Sequence, residues 1–232
     1  MSLHVFSWGF TFYAIWIIIK RTMITFSVKR NRRKGVLEMR LTMTNRQLKA
    51  LETKEKIYKI ALELLESDGY ENIRIEDICQ KAGVSTGTFY NYFKSKNEIL
   101  QLIYKKGDTY FETTVNEAIS ALETEEAVVG FFRYYAQYNI NTGMTTLKQL
   151  YNPENEFFTK KRGMQHVLYD VIQKGQTDNW LDSDFCTDEI VADLFILARG
   201  IVYDWCLKDG NFDLVEKMTS YIRRVLQTYR AD

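Results

Sequence analysis

The sequence predicts an all-α protein, and three observations carry that prediction. After residue 43, apolar residues recur every three or four positions through segments long enough for helices. No segment of useful length in that part of the chain alternates apolar and polar residues as a half-buried strand would. The 232 residues include a single proline, Pro153, so few positions interrupt a helix. Apolar residues make up 46% of the chain and charged residues 26%, an ordinary balance for a folded domain.

The first two predicted helices are recognised by their ends. One begins after Thr44, because Gln47 stands three residues later and completes a capping box. Its apolar spacing continues to Leu65, and Gly69 supplies the kind of residue that commonly ends a helix. A second, short helix is predicted over Ile75–Ala82, with acidic residues in its first turn, where they suit the helix dipole.

A turn and two more helices follow. Gly83 is expected to make the turn, and Ser85 to cap a third helix of about two turns. Ser95 and Glu98 have the spacing of another capping box. They are expected to open a long fourth helix over Lys96–Leu122.

Helices are also predicted for the rest of the chain. Their predicted ranges are Glu125–Asn141, Thr145–Tyr151, Pro153–Gln176, Asp188–Lys208 and Leu214–Tyr229. Thr187 and Asp213 are suitable N-caps for the last two. The elements divide the chain into an atypical extension over 1–42, a small helical domain over 43–100 and a larger helical domain over 101–232.

The extension over residues 1–42 differs from the rest of the chain in composition. Residues 5–19 contain no charge, and the basic run Lys29–Lys34 follows them. This apolar run is shorter than the roughly 20 residues that span a bilayer, and a secretory signal would have its basic residues in front. Two interpretations remain: a weak membrane anchor, or a segment outside the natural protein because translation starts at Met39 or Met43.

Charge is distributed unevenly along the chain. Residues 1–42 hold eight Lys or Arg residues and one acidic residue, whereas the net charge of the whole chain is +1. Residues 43–100 are balanced at nine basic and nine acidic residues, so residues 101–232 are net negative. An acidic body is a poor general binder of polyanions, and any binding to DNA must therefore depend on a few placed groups.

The sequence offers little for a catalytic or metal site. Cys79, Cys186 and Cys206 are widely spaced and odd in number, which argues against a disulfide framework and favours the reducing cytoplasm. The two histidines and the absence of a CxxC motif leave little to build a zinc site or a Cys–His nucleophile pair. We therefore expect no catalytic residue, no metal and no cofactor.

The stretch AGVSTGTFYNYFKSKNEIL, residues 82–100, indicates a helix-turn-helix. In such a unit the second helix presents its amino-terminal residues to base edges in the major groove. Thr86, Gly87 and Thr88 are poor helix formers, but they are small enough to let the backbone approach DNA closely. Phe89 and Phe93 are expected to face the core. An aromatic-rich helical hairpin without DNA contacts is the alternative, but it does not account for this composition.

This stretch, with Gly69-Tyr70 and Asp77-Ile78, resembles the amino-terminal domain of TetR-family transcriptional regulators, and the resemblance covers Thr53–Leu102. It implies a homodimer that reads a palindromic operator in double-stranded DNA, usually as a repressor released by a small molecule. Arg74 departs from the family pattern, since a Thr or Ser is usual there; a charged phosphate contact would replace a hydroxyl one. The residues predicted to contact DNA are Arg74, Ser85, Thr86, Gly87, Thr88, Tyr90, Asn91, Tyr92 and Lys96.

The resemblance also implies that the last two helices form a four-helix bundle with those of a second subunit. Apolar stripes at helical spacing lie on both helices. The predicted interface residues are Phe195, Val202, Trp205, Met218, Tyr221, Ile222 and Val225. An intramolecular core would use the same stripes, so some of these residues are expected to be core in either case.

Aromatic residues are concentrated in the middle of the larger domain. Aromatics with polar tips suit an apolar pocket that has a few orienting groups. The predicted pocket residues are Phe131, Tyr134, Tyr135, Tyr138, Phe158, His166 and Tyr169. Ordinary core and surface packing is the alternative for each of them.

The leading interpretation is a cytoplasmic, ligand-responsive transcriptional repressor that binds operator DNA as a homodimer and is released by a small apolar effector. The alternative is a membrane-tethered regulator anchored by residues 5–19. An enzyme is disfavoured, because no paired carboxylates, metal ligands or nucleophile–base pair stand out in the sequence. The operator sequence and the chemical identity of the effector are not encoded in any motif.

Overall fold

The computed structural model describes residues 44–151 and 162–232. The apolar run 5–19 lies outside these residues, and so does the start of the helix predicted from Pro153. Phe158, a predicted pocket residue, also lies outside them.

The backbone divides into two compact units, Met1–Thr53 and Lys54–Asp232. In the first unit the described residues are 44–53, and they contain the predicted capping box. The amide of Thr44 donates to Gln47 Oε1 at 2.8 Å, and the amide of Gln47 donates to Thr44 Oγ1 at 3.3 Å. The domain limits predicted from the sequence stay a prediction.

Three helices follow in the predicted order. α1 spans Asn45–Asp68, α2 spans Ile75–Ala82 and α3 spans Thr86–Tyr92. Gly69 after α1 and Gly83 after α2 have φ values of +79° and +65°. Both glycines therefore end their helices in the left-handed conformation that other residues adopt at a cost.

The three helices share a small apolar core. Phe89 and Phe93, four residues apart, are both buried, and their ring centroids are 5.7 Å apart. Ile57 and Ala61 of α1 and Ile78 of α2 are fully or almost fully buried in the same core. The prediction that the two phenylalanines face inward is confirmed.

The fourth helix begins at Lys96 as predicted, but its capping differs. Ser95 occupies the N-cap position without a side-chain hydrogen bond to the helix. The carboxylate of Glu98 accepts the amide of Lys94 at 2.8 Å, one residue before the cap. The capping box predicted from Ser95 and Glu98 is therefore wrong, because that motif needs both reciprocal bonds.

The long fourth helix is interrupted. α4 spans Lys96–Tyr110, a π-helical segment spans Phe111–Val115, and α5 spans Asn116–Ile119. The amide of Asn116 donates to the carbonyl of Phe111, which is the five-residue spacing of a π-turn. One uninterrupted helix to Leu122 was predicted, and apolar spacing could not reveal the widened turn.

Helices account for most of the remaining described residues. They are α6 over Thr124–Thr142, α7 over Met144–Leu150, α8 over Gly163–Thr177, α9 over Thr187–Leu207 and α10 over Leu214–Leu226. A 3-10 turn over Gln227–Tyr229 follows α10. Asp213 caps α10 as predicted, whereas Thr187 is the first residue of α9 and its hydroxyl donates to Gln176 Oε1 at 2.6 Å.

The core of this helical part is aromatic. α6 packs against α8 and α10, and α9 packs against the same two helices. Phe195 of α9 lies among Phe131, Phe132 and Tyr135 of α6, with ring centroids 5.6–5.9 Å away. These edge-to-face contacts bury Phe195 to 3% exposure, so it belongs to the core of the protomer.

Other predicted interface residues are also core residues. Val202 on α9 and Met218 and Ile222 on α10 have no exposed surface. Their apolar stripes face the protomer's own core, which corrects their assignment, and that of Phe195, to a contact with a second subunit. Trp205, Val225 and Tyr221 keep partly or largely exposed side chains.

Over residues 44–151 and 162–232, no helix is both long and apolar enough to cross a bilayer. The same described residues contain no group of three His, Cys, Asp or Glu side chains that could hold a metal ion.

Candidate functional site

Backbone hydrogen bonds close the turn between α2 and α3. Gly83 donates its amide to the carbonyl of Gln80 at 3.1 Å, and Val84 donates to Cys79 at 3.0 Å. These two bonds use the last carbonyls of α2, as in a helix-ending glycine motif. Arg74, which precedes α2, is exposed, and its amide donates to Asp77 Oδ2 at 3.0 Å.

The residues at the start of α3 divide into capping and free groups. Ser85 Oγ accepts the amide of Thr88 at 3.1 Å and lies 2.9 Å from the Thr88 hydroxyl. The Thr88 side chain is half-buried and already engaged by the cap. Thr86 is exposed, so its hydroxyl and methyl face solvent. Thr86 is therefore better placed than Thr88 to reach a base edge.

The second turn of α3 continues the exposed surface. Tyr90 is 55% exposed, and Asn91 is exposed beside it. Tyr92 is half-buried and packs against the core. Ser85, Thr86, Gly87, Tyr90 and Asn91 together form the surface we call the reading face.

Gly87 has no structural reason in the described chain to be glycine. A Cβ atom built on it would meet only Ser85 Oγ, at the ordinary contact distance of 3.8 Å, and its φ is not in the left-handed region. Glycine inside a helix costs about 1 kcal/mol relative to alanine. Position 87 is exposed and still carries this destabilising residue, as expected where another backbone approaches closely.

Lys96 has partners within the protein. Its Nζ donates to the carbonyls of Tyr70 at 2.8 Å and Ile73 at 2.7 Å, and it lies 4.5 Å from the centre of the Tyr70 ring. The ammonium thus ties the start of α4 to the loop between α1 and α2. One N–H remains for a phosphate, so the predicted DNA contact of Lys96 stays a prediction.

A small cavity lies between α4, α6, α7 and the start of α8. Its volume is about 30 Å³, enough for about two water molecules. Of the predicted pocket residues, Tyr135 and Tyr138 line it. Tyr104, Tyr151 and Arg162 also line it, although they are not among the predicted pocket residues.

The tyrosine hydroxyls of the cavity are held by hydrogen bonds. Tyr138 donates to the carbonyl of Ile103 at 2.9 Å, and Tyr104 donates to that of Leu150 at 3.1 Å. The hydroxyls of Tyr135 and Tyr151 lie 3.2 Å apart. Burial raises the pKa of Tyr138 to about 12, so its hydroxyl is neutral near pH 7.

Arg162 places a positive charge at the cavity. Its Nη2 lies 3.2 Å from Asp108 Oδ1 and 3.1 Å from the carbonyl of Tyr104. The guanidinium also lies 4.7 Å from the centre of the Tyr104 ring. The Arg162 side chain is 13% exposed and its charge is paired with Asp108, so an anion that entered the cavity would compete with that carboxylate for the guanidinium.

The other predicted pocket residues that the structure describes do not line this cavity. Phe131 is fully buried in the aromatic core, and His166 is exposed on α8; neither lines the cavity. Tyr134 packs edge-on against Tyr110 at 6.4 Å, and Tyr169 is half-buried outside the cavity wall. Helical spacing groups residues by face but does not show where helices part, and the assignment of Phe131 and His166 to an effector pocket stays a prediction.

An apolar strip runs along the outer face of α9. Ile196 is 60% exposed, Tyr203 52% and Leu207 64%. Gly200 lies between them, and a Cβ atom added there would meet no atom of the described residues within 4 Å. Like Gly87, Gly200 is an exposed glycine for which the described residues give no packing reason. We call these four residues the α9 strip.

Comparison with known proteins agrees with this architecture. The model of the family described as "Bacterial regulatory proteins, tetR family" matches residues 57–103, which contain the helix-turn-helix. The chain is 26% identical over 179 residues to a fatty acid metabolism regulator protein of Bacillus subtilis, covering 72% of this chain and 90% of the relative. It is 22% identical over 200 residues to the probable acrEF/envCD operon repressor of Escherichia coli K12, covering 79% of this chain and 89% of that protein.

Solved structures extend the similarity in fold to about three quarters of the chain. The regulator FadR from Bacillus subtilis, in complex with stearoyl-CoA, superposes with a TM-score of 0.65 at 21% identity, over 74% of this chain and 96% of that chain. FadR from Thermus thermophilus, described as a repressor in complex with lauroyl-CoA, superposes with a TM-score of 0.57 at 21% identity, over 75% of this chain and 93% of that chain. At these identities the superpositions establish the fold.

A helix-turn-helix with an exposed reading face therefore stands on a helical body of the same fold as these regulators, and its sequence matches their family model. Residues 57–103 match the tetR family of bacterial regulatory proteins, and the chain is a DNA-binding transcriptional regulator.

Proposed function

We propose that this regulator is a cytoplasmic repressor that binds a palindromic operator as a homodimer and releases it when an acyl compound enters the cavity. The observation that carries the proposal is the reading face: polar, exposed and built around a glycine that nothing in the described protein requires. The first turn of α3 is the part of a helix-turn-helix that reads bases. Thr86 is the base-reading candidate, and Tyr90 and Asn91 are phosphate-contact candidates.

Two copies of the reading face give the specificity that one lacks. A two-turn helix touches few base pairs, whereas a two-fold dimer reads half-sites about 34 Å apart or a multiple of that distance. The α9 strip is the surface we assign to the dimer contact, together with Tyr221, which is 38% exposed on α10. Gly200 would let the partner's helix approach closely between Ile196 and Tyr203.

The cavity suits an amphipathic effector. Its wall combines aromatic rings for an apolar chain with Arg162 for a negative head group. Relatives support this choice, since one is a fatty acid metabolism regulator and two neighbours in structure were crystallised with stearoyl-CoA and lauroyl-CoA. The present volume of about 30 Å³ is far too small for such a chain, so the effector must separate the helices that line the cavity.

Opening the cavity gives a route to DNA release. α4 carries cavity residues Ile103 and Tyr104, and its first residue, Lys96, is bonded to the loop beside α2. A ligand that shifts α4 would therefore move the reading face of each subunit. Because the half-sites lie a fixed distance apart on the duplex, changing the separation of the two faces lowers affinity for the operator.

The test begins with operators selected by the purified protein from a random DNA library. Binding to the selected duplex is then measured with stearoyl-CoA, lauroyl-CoA, or coenzyme A without an acyl chain as the control. We expect both esters, but not coenzyme A, to weaken operator binding, and operator to weaken ester binding by the same factor. A protein that selects no sequence is not the regulator proposed. An ester that binds equally well with and without operator is not its effector.

A further inference from the structure

We propose that Glu66 is a positioning residue that joins the DNA-reading part of the protein, helices α1 to α3, to the wall of the effector cavity. It stands near the carboxyl end of α1, and its side chain caps the amino terminus of α7. The proposal rests on the proposed function, because it concerns how occupation of the cavity and of DNA are coupled.

Three hydrogen bonds make the contact. One carboxylate oxygen of Glu66 accepts the amide of Thr145 at 3.3 Å. The other accepts the amide of Thr146 at 3.1 Å and its hydroxyl at 3.2 Å. The first amides of a helix have no partner within the helix, and a carboxylate also suits the positive end of the helix dipole. The cap of α7 thus comes from a residue about 80 positions earlier in the chain.

Gly143 makes room for this carboxylate. It precedes α7 with φ +93° and ψ 144°, a conformation that other residues rarely adopt. A Cβ atom at this position would also clash with the Glu66 carboxylate. Glycine therefore serves both the turn and the close approach of α1.

At its other end, α7 forms part of the cavity. Leu147 and Leu150 line the cavity, and the carbonyl of Leu150 accepts the Tyr104 hydroxyl. Thr146, whose amide and hydroxyl bind Glu66, is almost fully buried. α7 has seven residues, so a ligand that displaces Leu147 or Leu150 must also move the amides that Glu66 holds.

The helix that carries Glu66, α1, belongs to the DNA-reading part. Its residues Ile57 and Ala61 share the buried core with Phe89 of α3. Lys54 on the same helix lies over the ring of Phe93, 5.4 Å from its centre. Motion passed to α1 by Glu66 would therefore reach the reading face through packed side chains. We infer a mechanical link that is separate from the α4 route.

Glu63 offers a matched control. It is also a carboxylate on α1, but it pairs with Lys81 of α2 at 3.4 Å, within the DNA-reading part itself. Glu63→Ala and Glu66→Ala make the same change in charge on the same helix. Only Glu66→Ala removes the contact with α7.

The experiment measures amide hydrogen exchange over residues 144–150, with and without the selected operator duplex. Without DNA, Glu66→Ala should speed exchange at Thr145 and Thr146 by roughly 5- to 30-fold, the factor expected for a lost helix cap. In the wild type and in Glu63→Ala, operator binding should change exchange over this segment. In Glu66→Ala that response should be lost, and Glu66→Gln, which keeps one acceptor oxygen, should restore part of it.

The outcomes separate the two proposals. If the wild type binds operator but exchange over 144–150 does not respond, the link through Glu66 is refuted and the proposed function stands. An equal response in Glu66→Ala and the wild type refutes it in the same way. If the wild type selects no operator, the proposed function fails and the link fails with it. If stearoyl-CoA weakens operator binding, the fold-change in operator affinity that it causes should be smaller in Glu66→Ala than in the wild type. In Glu63→Ala that fold-change should equal the wild-type value.

Discussion

Replacing two neighbouring residues on α9 is predicted to affect different properties, the stability of the protomer in one case and its association with a second copy in the other. Phe195 points into the aromatic core and is 3% exposed, whereas Ile196 lies on the α9 strip and is 60% exposed. Phe195→Ala should lower the stability of each protomer. Ile196→Asp should leave the protomer intact and weaken its association with a second copy.

The magnitude for Phe195 follows from its surroundings. Its ring contacts three others, Phe131, Phe132 and Tyr135, and removing it leaves a cavity where those edge-to-face contacts were. Phe→Ala replacements in a core cost about 3–5 kcal/mol. Small domains are stable by about 5–15 kcal/mol in total, so the variant should fold but unfold at a clearly lower urea concentration.

The effect at Ile196 has a different origin. The side chain is mostly in water within the protomer, so a carboxylate there costs little until a second subunit covers it. A buried, unpaired charge in a subunit contact costs several kcal/mol. Since one such charge comes from each copy, the dimer should dissociate at concentrations where the wild type stays associated.

Sedimentation and urea unfolding at two protein concentrations separate these effects. Phe195→Ala is expected to shift unfolding at both concentrations while it sediments as a dimer where the wild type does. Ile196→Asp is expected to sediment as a monomer with a protomer that still unfolds cooperatively. If instead Phe195→Ala yields a stable monomer and Ile196→Asp stays dimeric, then the assignment of the two faces of α9 is wrong.

Three further predictions concern DNA binding, the α1–α2 loop and the cavity. Thr86→Ala is expected to change preference among operator sequences by about 1–3 kcal/mol, whereas Tyr90→Ala weakens binding to all of them alike; titrations against a panel of operator variants measure both. Lys96→Ala should lower the free energy of unfolding by about 1–3 kcal/mol, measured by urea denaturation, because two backbone carbonyls lose their donor. Burial raises the pKa of Tyr138 to about 12 from an unfolded value of 10, so this group's contribution to stability is intact below pH 10 and lost as pH rises toward 12. Between pH 9 and pH 12 the free energy of unfolding of Tyr138→Phe should fall by about 2–3 kcal/mol less than that of the wild type, as measured by unfolding at the two pH values.

Each of these predictions has a contrary result. A Thr86→Ala variant that loses affinity equally for every sequence would place Thr86 on the phosphate backbone. A Lys96→Ala variant with unchanged stability would mean that its two hydrogen bonds contribute nothing net. If Tyr138→Phe and the wild type lose equal stability between pH 9 and pH 12, the Tyr138 hydroxyl ionises as readily in the folded protein as in the unfolded chain.

Local signals in the sequence were sufficient for the helix-turn-helix. Ser85 as a cap, Gly83 as a turn and Asp213 as a later cap all act on residues within four positions, so their effect is visible without a fold. The bounds of α2 over Ile75–Ala82 were predicted correctly for the same reason. The π-helical segment over Phe111–Val115 was missed, because one widened turn leaves the apolar spacing on either side almost unchanged.

Partners distant in the chain left no such signal. Lys96 finds two carbonyls 23 and 26 residues earlier, and Glu66 caps a helix that begins almost 80 residues later. Arg162 and Tyr104 meet at the cavity although 58 positions separate them. None of these contacts follows from composition or spacing, since each depends on how whole helices pack.

The sequence by itself determined an all-α chain with a DNA-reading helix-turn-helix, because capping, turn and apolar-spacing preferences operate within one or two helical turns. Only the tertiary structure decided which side of α9 is core and which is outer surface. That helix is apolar on both sides, so helical periodicity predicts two apolar stripes but does not show which of them is buried. The aromatic rings of α6 bury Phe195 and leave Ile196 on the outer surface. The small cavity likewise exists only where α4, α6, α7 and α8 meet, because the space between helices belongs to no single segment of the chain.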